Sequence, residues 1–146
     1  MNLYFEFPGE PKAVQSMKVA LAGKFIRKYQ PKETVEWKNY IKLQALRQLP
    51  GGFFCLDTPC VISASFCFSL PKSARKRDRI CVEDGIDIPK ATRPDLTDNL
   101  FKGLIDALTG VVWKDDAQIV GVINSYKLYS ARPRIELHVN FGVDEV

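Results

Sequence analysis

The stretch RPDLTDNLFKGLIDALTGVVWKDDAQIV, Arg93 to Val120, reads as a helix that turns back into a strand, with acids at both ends of the helix. At about 100° per residue, Leu96, Leu100, Phe101, Leu104, Ile105, Ala107 and Leu108 cover one half of a helix over 96–108. Asp98, Lys102 and Asp106 share the opposite side, and Asp95 joins them if the helix starts early enough. Pro94 suits the first helical turn, where its missing N–H costs nothing, and Gly110 ends the helix. Ala117 to Leu128 is then an apolar, β-rich run that fits a buried strand.

The polar stripe has a plain reading: a solvated helix face, with Asp98 and Lys102 as an i,i+4 pair and Asp95 as an N-terminal cap. The adjacent Asp115 and Asp116 tilt that reading, because two carboxylates at the mouth of an apolar strand repel each other unless a cation sits near them. A helix–turn–strand of this length could fold Asp115/Asp116 back beside Asp95/Asp98. Such a set of hard oxygen donors, with no His/Cys pair nearby, suits Mg2+ or Mn2+. Metal ions of this kind polarise a phosphodiester and activate water. Lys102 would serve as an electrostatic clamp on the developing charge or help orient the water. No EF-hand loop is present.

Outward from this stretch, Leu3, Phe5 and Phe7 alternate with polar neighbours in a strand stopped by Pro8-Gly9. Residues 10–32 are basic and poorly periodic and read as a loop or ribbon. Residues 33–48 form a helix with Trp37, Tyr40, Ile41 and Ala45 on one side, ended by Pro50-Gly51-Gly52. Ile62, Ala64, Phe66, Phe68 and Leu70 mark a long strand, and Ile135, Leu137, Val139 and Phe141 mark the last. Residues 71–94 have no sustained period and read as a flexible basic loop facing DNA. The predicted class is α+β: a small mixed or antiparallel sheet with two main helices, ordered strand-helix-strand-helix-strand-strand, in one domain over 1–146.

The formal charge of +4 is unevenly spread. Between Lys12 and Arg47 nine Lys/Arg face only Glu33 and Glu36, and PKSARKRDR (71–79) carries five basic residues against Asp78. A basic flank beside an acidic cluster suits a protein that holds a polyanion and puts metal ions on it, although charge runs also occur simply as solvated surface. Cys55, Cys60, Cys67 and Cys81 are separated by four, six and thirteen residues, without a CxxC pair, so reduced thiols are expected rather than a zinc site. His138 falls on the polar face of the last strand, where a surface role is expected. Trp113 is either a core side chain or a base-stacking one. No apolar run reaches the roughly 20 residues of a membrane span, and the first residues lack a signal-peptide pattern, so a cytoplasmic protein is expected.

Arg93-Pro94-Asp95, Asp98-Asn99-Leu100-x-Lys102, Asp106-Ala107-Leu108 and Trp113-x-Asp115-Asp116-Ala117-Gln118 together resemble the signature of the RusA-type Holliday junction resolvases, small phage and prophage endonucleases. PKSARK after a strand and YQPKETVEWKNYI (29–41) extend the likeness over nearly the whole chain. The resemblance implies a homodimer that binds four-way DNA junctions by shape and cuts paired strands symmetrically with Mg2+ or Mn2+, in recombination and repair. It implies Asp95, Asp98 and Asp116 as catalytic carboxylates and metal ligands, Lys102 as the catalytic lysine, and Asp115 as a supporting metal ligand. Lys12, Lys18, Lys72, Arg75, Lys76, Arg77 and Arg79 would hold phosphates. The family usually spaces its first two aspartates as D-x-D, whereas this chain has Asp95-Leu96-Thr97-Asp98; the extra residue leaves DN-x-x-K intact and shifts Asp95. Two other readings stand beside this one: a branched-DNA-binding protein with structural acids, and a nuclease for other branched or single-stranded DNA.

Overall fold

A computed structural model describes residues 1–13 and 18–142. Strand β1 (Asn2–Pro8) is followed by a hairpin of β2 (Lys18–Ala22) and β3 (Phe25–Tyr29), then helix α1 (Lys32–Gln48) and strand β4 (Cys60–Phe68). Next come α2 (Lys76–Glu83), β5 (Ile88–Pro89), a π-helical turn (Leu96–Phe101) running into α3 (Lys102–Leu108), a 3-10 turn (Asp116–Gln118), β6 (Ile119–Val122), β7 (Tyr126–Tyr129) and β8 (Arg134–Asn140). The fold is mixed α+β, as expected.

Strand β4 organises the sheet. On one edge it pairs antiparallel with β8, which in turn carries β1. On the other edge it pairs in parallel with β6 and then with β7, and β7 carries the short β5. The run expected as one buried strand over 117–128 is therefore two half-buried strands broken at 123–125. The break is locally determined: Asn124 sits at φ 43°, and Ser125 Oγ, facing Ala64, accepts the N–H that a continuous strand would have bonded, at 3.1 Å.

One sheet face is apolar and carries α1 and α3. Phe5, Phe7, Ile62, Ala64, Phe66, Ile135, Leu137 and Val139 alternate inward along their strands and meet Trp37, Ile41 and Ala45 of α1 and Leu104, Ala107 and Leu108 of α3. Phe66 and Phe101 meet edge to face at 5.2 Å. Burial of such side chains stabilises by roughly 1.5–3 kcal/mol each, which fixes the helix carrying the acids against the middle of the sheet. The edge strand β1 is tied to α1 by side chains: Gln48 accepts from the Glu6 N–H at 2.9 Å and donates to the Glu6 carbonyl at 2.8 Å. These bonds occupy edge-strand groups that would otherwise be open to another chain.

Two basic segments differ from their sequence reading. Residues 10–32 hold the β2–β3 hairpin, so the ribbon alternative is the one adopted. Residues 71–94, expected as a loop, contain α2 and β5. Helix periodicity was hard to see there because α2 is eight residues long and buries only Val82.

Candidate active site

Helix α3 ends at a tight turn that aims the chain back at the sheet. Thr109 Oγ1 donates to the Ile105 carbonyl at 2.8 Å and accepts from Trp113 Nε1 at 3.1 Å. Gly110, at φ 89°, supplies the left-handed residue the turn needs. Trp113 is fully buried, which makes it a core side chain and removes it as a base-stacking one. Its neighbour Lys114 donates its N–H to the Leu56 carbonyl at 3.2 Å, which fixes the entry to the acidic turn.

The acidic turn is built around Gln118. Its Oε1 accepts from the Lys114 and Asp115 N–H groups, both at 2.8 Å, and its Nε2 donates to the Leu56 and Thr58 carbonyls, both at 2.9 Å. Asp115 caps the turn by accepting from the Ala117 N–H at 2.9 Å, completing a capping box. That backbone hydrogen bond, with a second from Asp116, holds the Asp115 carboxyl below its ordinary value. Asp116 is pushed the other way: its hydrogen bond with Asp115 comes first, followed by slight desolvation and the repulsion of Asp115 and Asp106. Two exposed carboxylates that strain against each other in this way form a pair that a cation would relieve.

The opening in front of this pair has a volume of about 510 Å³ and is bounded by Gln30, Lys38, Asp106, Thr109, Lys114 and the two acids. Lys38 reaches from α1 to Asp106 at 3.7 Å with only 12 % of its side chain exposed. Lys114 lies 3.9 Å from Asp57. Neither lysine was singled out by the sequence, because their nearness to the acids depends on α1 packing against α3 and on the Leu56–Trp113 contact.

The other acids stand at the opposite end of the helix. Asp95 adopts an extended backbone at the helix start and, among the described residues, makes no side-chain capping bond. Pro94 precedes it, just outside the helix rather than inside the first turn. The Leu100 N–H reaches five residues back to the Asp95 carbonyl at 3.1 Å, closing the π turn. A π turn takes up one more residue than an α turn. It thereby absorbs the extra residue in Asp95-Leu96-Thr97-Asp98 while Leu100, Phe101 and Leu104 stay in the core. Asp98 and Lys102 are exposed, as the helical wheel indicates, but they do not form an ion pair among the described residues. Asp95 and Asn99 border a second opening of about 420 Å³ with Arg93, Pro94 and Ala13.

The structure thus joins Asp115, Asp116 and Asp106 around one opening and places Asp95 on another. Among the described residues, no group of three or more Asp, Glu, His or Cys side chains closes into a metal cage. The donors fit Mg2+ or Mn2+ in kind, since all are hard oxygens and the Asp115–Asp116 pair is under mutual repulsion.

Of the basic residues, Lys12, Lys72, Arg75, Lys76 and Arg77 are exposed. Arg79 is half-buried and donates to the Pro71 and Lys72 carbonyls, so it shapes the turn before α2. Lys18 opens β2, and its side chain lies outside the described residues. His138 is exposed beside Tyr4, ring centres 4.7 Å apart, away from the acids. All four cysteines are free thiols, with Cys60 and Cys67 buried. Among the described residues no helix is long and apolar enough to cross a membrane.

A helix-backed mixed sheet that presents acids at both ends of one helix, beside basic segments, is a frame suited to phosphate chemistry. Comparison with known proteins is specific: the model of the family described as Endodeoxyribonuclease RusA matches residues 8–140, and the chain belongs to that family. Membership implies an endonuclease of the Holliday junction resolvase kind. The chain is also 30% identical over 137 residues to Uncharacterized protein YqaN of Bacillus subtilis (strain 168), covering 92% of this chain and 93% of that protein.

Proposed function

We propose that the protein is a divalent-metal-dependent endonuclease that resolves four-way DNA junctions by paired nicks, acting as a homodimer. The observation that carries the chemistry is the Asp115–Asp116 pair, pinned by Gln118 and facing an opening flanked by Lys38 and Lys114. Asp116 holds its proton more tightly because of its contact with Asp115, a repulsion that a bound cation would relieve. The family resemblance makes Asp116, Asp98 and Asp95 the holders of Mg2+ or Mn2+, with Asp115 supporting through its cap. As Asp95 and Asp116 border different openings here, a shared ion requires the two ends of the helix to be drawn together. When bound, the metal supplies charge neutralisation and an activated water. The chain's own part is positional: the π turn and the start of α3 present Asp98 and Lys102 to solvent, and the capped turn fixes the orientation of Asp116.

The dimer is supported by the β2–β3 hairpin. Among the described residues it pairs with no strand of the main sheet, and Val19, Leu21, Phe25 and Ile26 are 60%, 81%, 78% and 69% exposed. A lone two-stranded hairpin is marginal in water, so a second copy of the chain is the cover that suits it. Two symmetric nicks also call for two sites related by a two-fold axis.

A second reading, a branched-DNA-binding protein without cleavage, draws on the separation of Asp95 from the Asp115–Asp116 opening. The experiment is cleavage of a labelled four-way junction and its matching linear duplex with Mg2+ or Mn2+ against EDTA. Paired, metal-dependent nicks with the duplex spared support the resolvase. Metal-dependent cutting without preference for the four-way form supports a nuclease for other DNA. Salt-sensitive binding with no cutting under any metal supports the binder.

A further inference from the structure

The structure assigns Lys127 as a positioning residue for Asp95, an inference that rests on the nuclease reading above. Lys127 lies on β7, far in sequence from the acids. Its Nζ donates to the Thr92 carbonyl at 2.7 Å and to the Pro94 carbonyl at 2.9 Å. Its own carbonyl accepts from the Lys90 N–H at 2.9 Å. One residue therefore grips the 90–94 segment at three points, and the last of them is the residue immediately before Asp95.

A surface lysine normally points into water and orders little around it. Lys127 instead is half-buried, and two carbonyls from alternate residues curve around its ammonium. Hydrogen bonds of this charge-assisted kind are the stronger class. They matter here because the helix start has no side-chain cap of its own. The Asp95 carbonyl opens the π turn by accepting from Leu100, so the path of residues 92–94 determines both where the Asp95 carboxylate stands and where the helix begins. Lys90 secures the same segment from its other side. Its Nζ donates to Thr92 Oγ1 at 2.7 Å and sits over the Tyr129 and Phe68 rings, 4.9 and 5.1 Å from their centres. The approach to Asp95 is thus clamped by two lysines that do not need to touch DNA.

The test compares Lys127→Met, which keeps the stem and loses the donors, with Lys127→Arg, which keeps donors. The first readout is amide hydrogen exchange of the metal-free protein. In Lys127→Met the segment 95–101 should exchange at least about tenfold faster while 104–108 keeps its protection. The second readout is the Mn2+ concentration giving half-maximal junction cleavage, which should rise about 10–100-fold, the range seen when residues supporting a metal ligand are lost. Junction binding in EDTA should change by less than about threefold, and Lys127→Arg should recover a substantial part of both losses. Unchanged exchange at 95–101 in Lys127→Met would overturn the assignment. So would a parallel loss of binding and cleavage, which would make Lys127 a DNA contact, or a loss of protection at 104–108 in both variants, which would make it part of the core. If the unaltered protein cuts nothing under any metal, the nuclease reading fails, and the exchange comparison still decides whether Lys127 positions Asp95.

Discussion

The Asp115–Gln118 turn takes its shape from hydrogen bonds that span two to four residues and its place from bonds of Gln118 and Lys114 to Leu56 and Thr58, whereas the path into Asp95 is held by an ammonium 35 and 33 residues away in sequence. The turn carries its own instructions: an Asp cap, a Gln three residues on, and a buried Trp just before it. The helix start carries none, and takes its shape from β7. The internal shape of one region is prescribed locally and that of the other by the sheet, so the two acidic groups should respond differently to the same kind of damage.

The largest effect is expected from Asp116→Asn. Removing a carboxylate proposed to hold the cation should lower junction cleavage by about 10²-fold or more, because a catalytic metal contributes several kcal/mol of charge stabilisation. Binding to the junction should persist or tighten, because one source of repulsion toward phosphate has gone. Loss of binding and cleavage together in an electrophoretic assay would move Asp116 from the chemistry to the fold.

Leu104→Ala should damage both regions at once, since α3 connects them. Leu104 is fully buried, and such a truncation costs roughly 2–5 kcal/mol, readable as a shifted midpoint in urea. Gln118→Ala sharpens the contrast. It removes the hydrogen bonds that define the turn, made by exposed and part-buried groups, at a cost of roughly 1 kcal/mol. Amide protection should fall at 114–119 and remain at 95–101. Equal loss in both segments would mean that the two regions are not independently held.

The effect of pH has a definite sign. Asp116 binds its proton more tightly than an ordinary aspartate, chiefly through Asp115, so on acidification it is protonated before an unperturbed aspartate and would release a cation held there. Metal-dependent cleavage should therefore rise with pH through a step that lies higher than an unperturbed aspartate would give. In Asp115→Asn, which retains a capping side chain, that step should move to lower pH. A step at the same pH in both proteins would detach it from this pair. The smallest effect concerns the thiols. Burial raises Cys60 to about 11 and Cys67 in the same direction, so alkylation of the folded protein at neutral pH should label Cys55 and Cys81 first. Early labelling of Cys60 would show that the β4 end of the core opens.

The same division explains what the sequence made legible. Alternation in β1, β4 and β8 and the periodic face of α3 are local patterns, and they appear in the structure as read. The Asp115–Asp116 pair was visible as adjacent charges. The split of β6 from β7 was not, because it depends on Ser125 meeting the Ala64 amide across the sheet. Helix α2 was hidden by its shortness and its single buried residue. The π turn was hinted at only by the extra residue between Asp95 and Asp98. Lys38 and Lys127 were invisible, since nothing near them in the chain says which carboxylate or carbonyl they will meet.

Titration of Mn2+ into the unaltered protein, Asp98→Asn and Asp116→Asn tests the central claim most directly, namely that a helix start held from the sheet and a self-held turn serve one metal-binding site. Each substitution should weaken binding of the same ion by about tenfold or more. Unchanged Mn2+ affinity in either variant would contradict it, and would assign the two acidic groups to separate tasks.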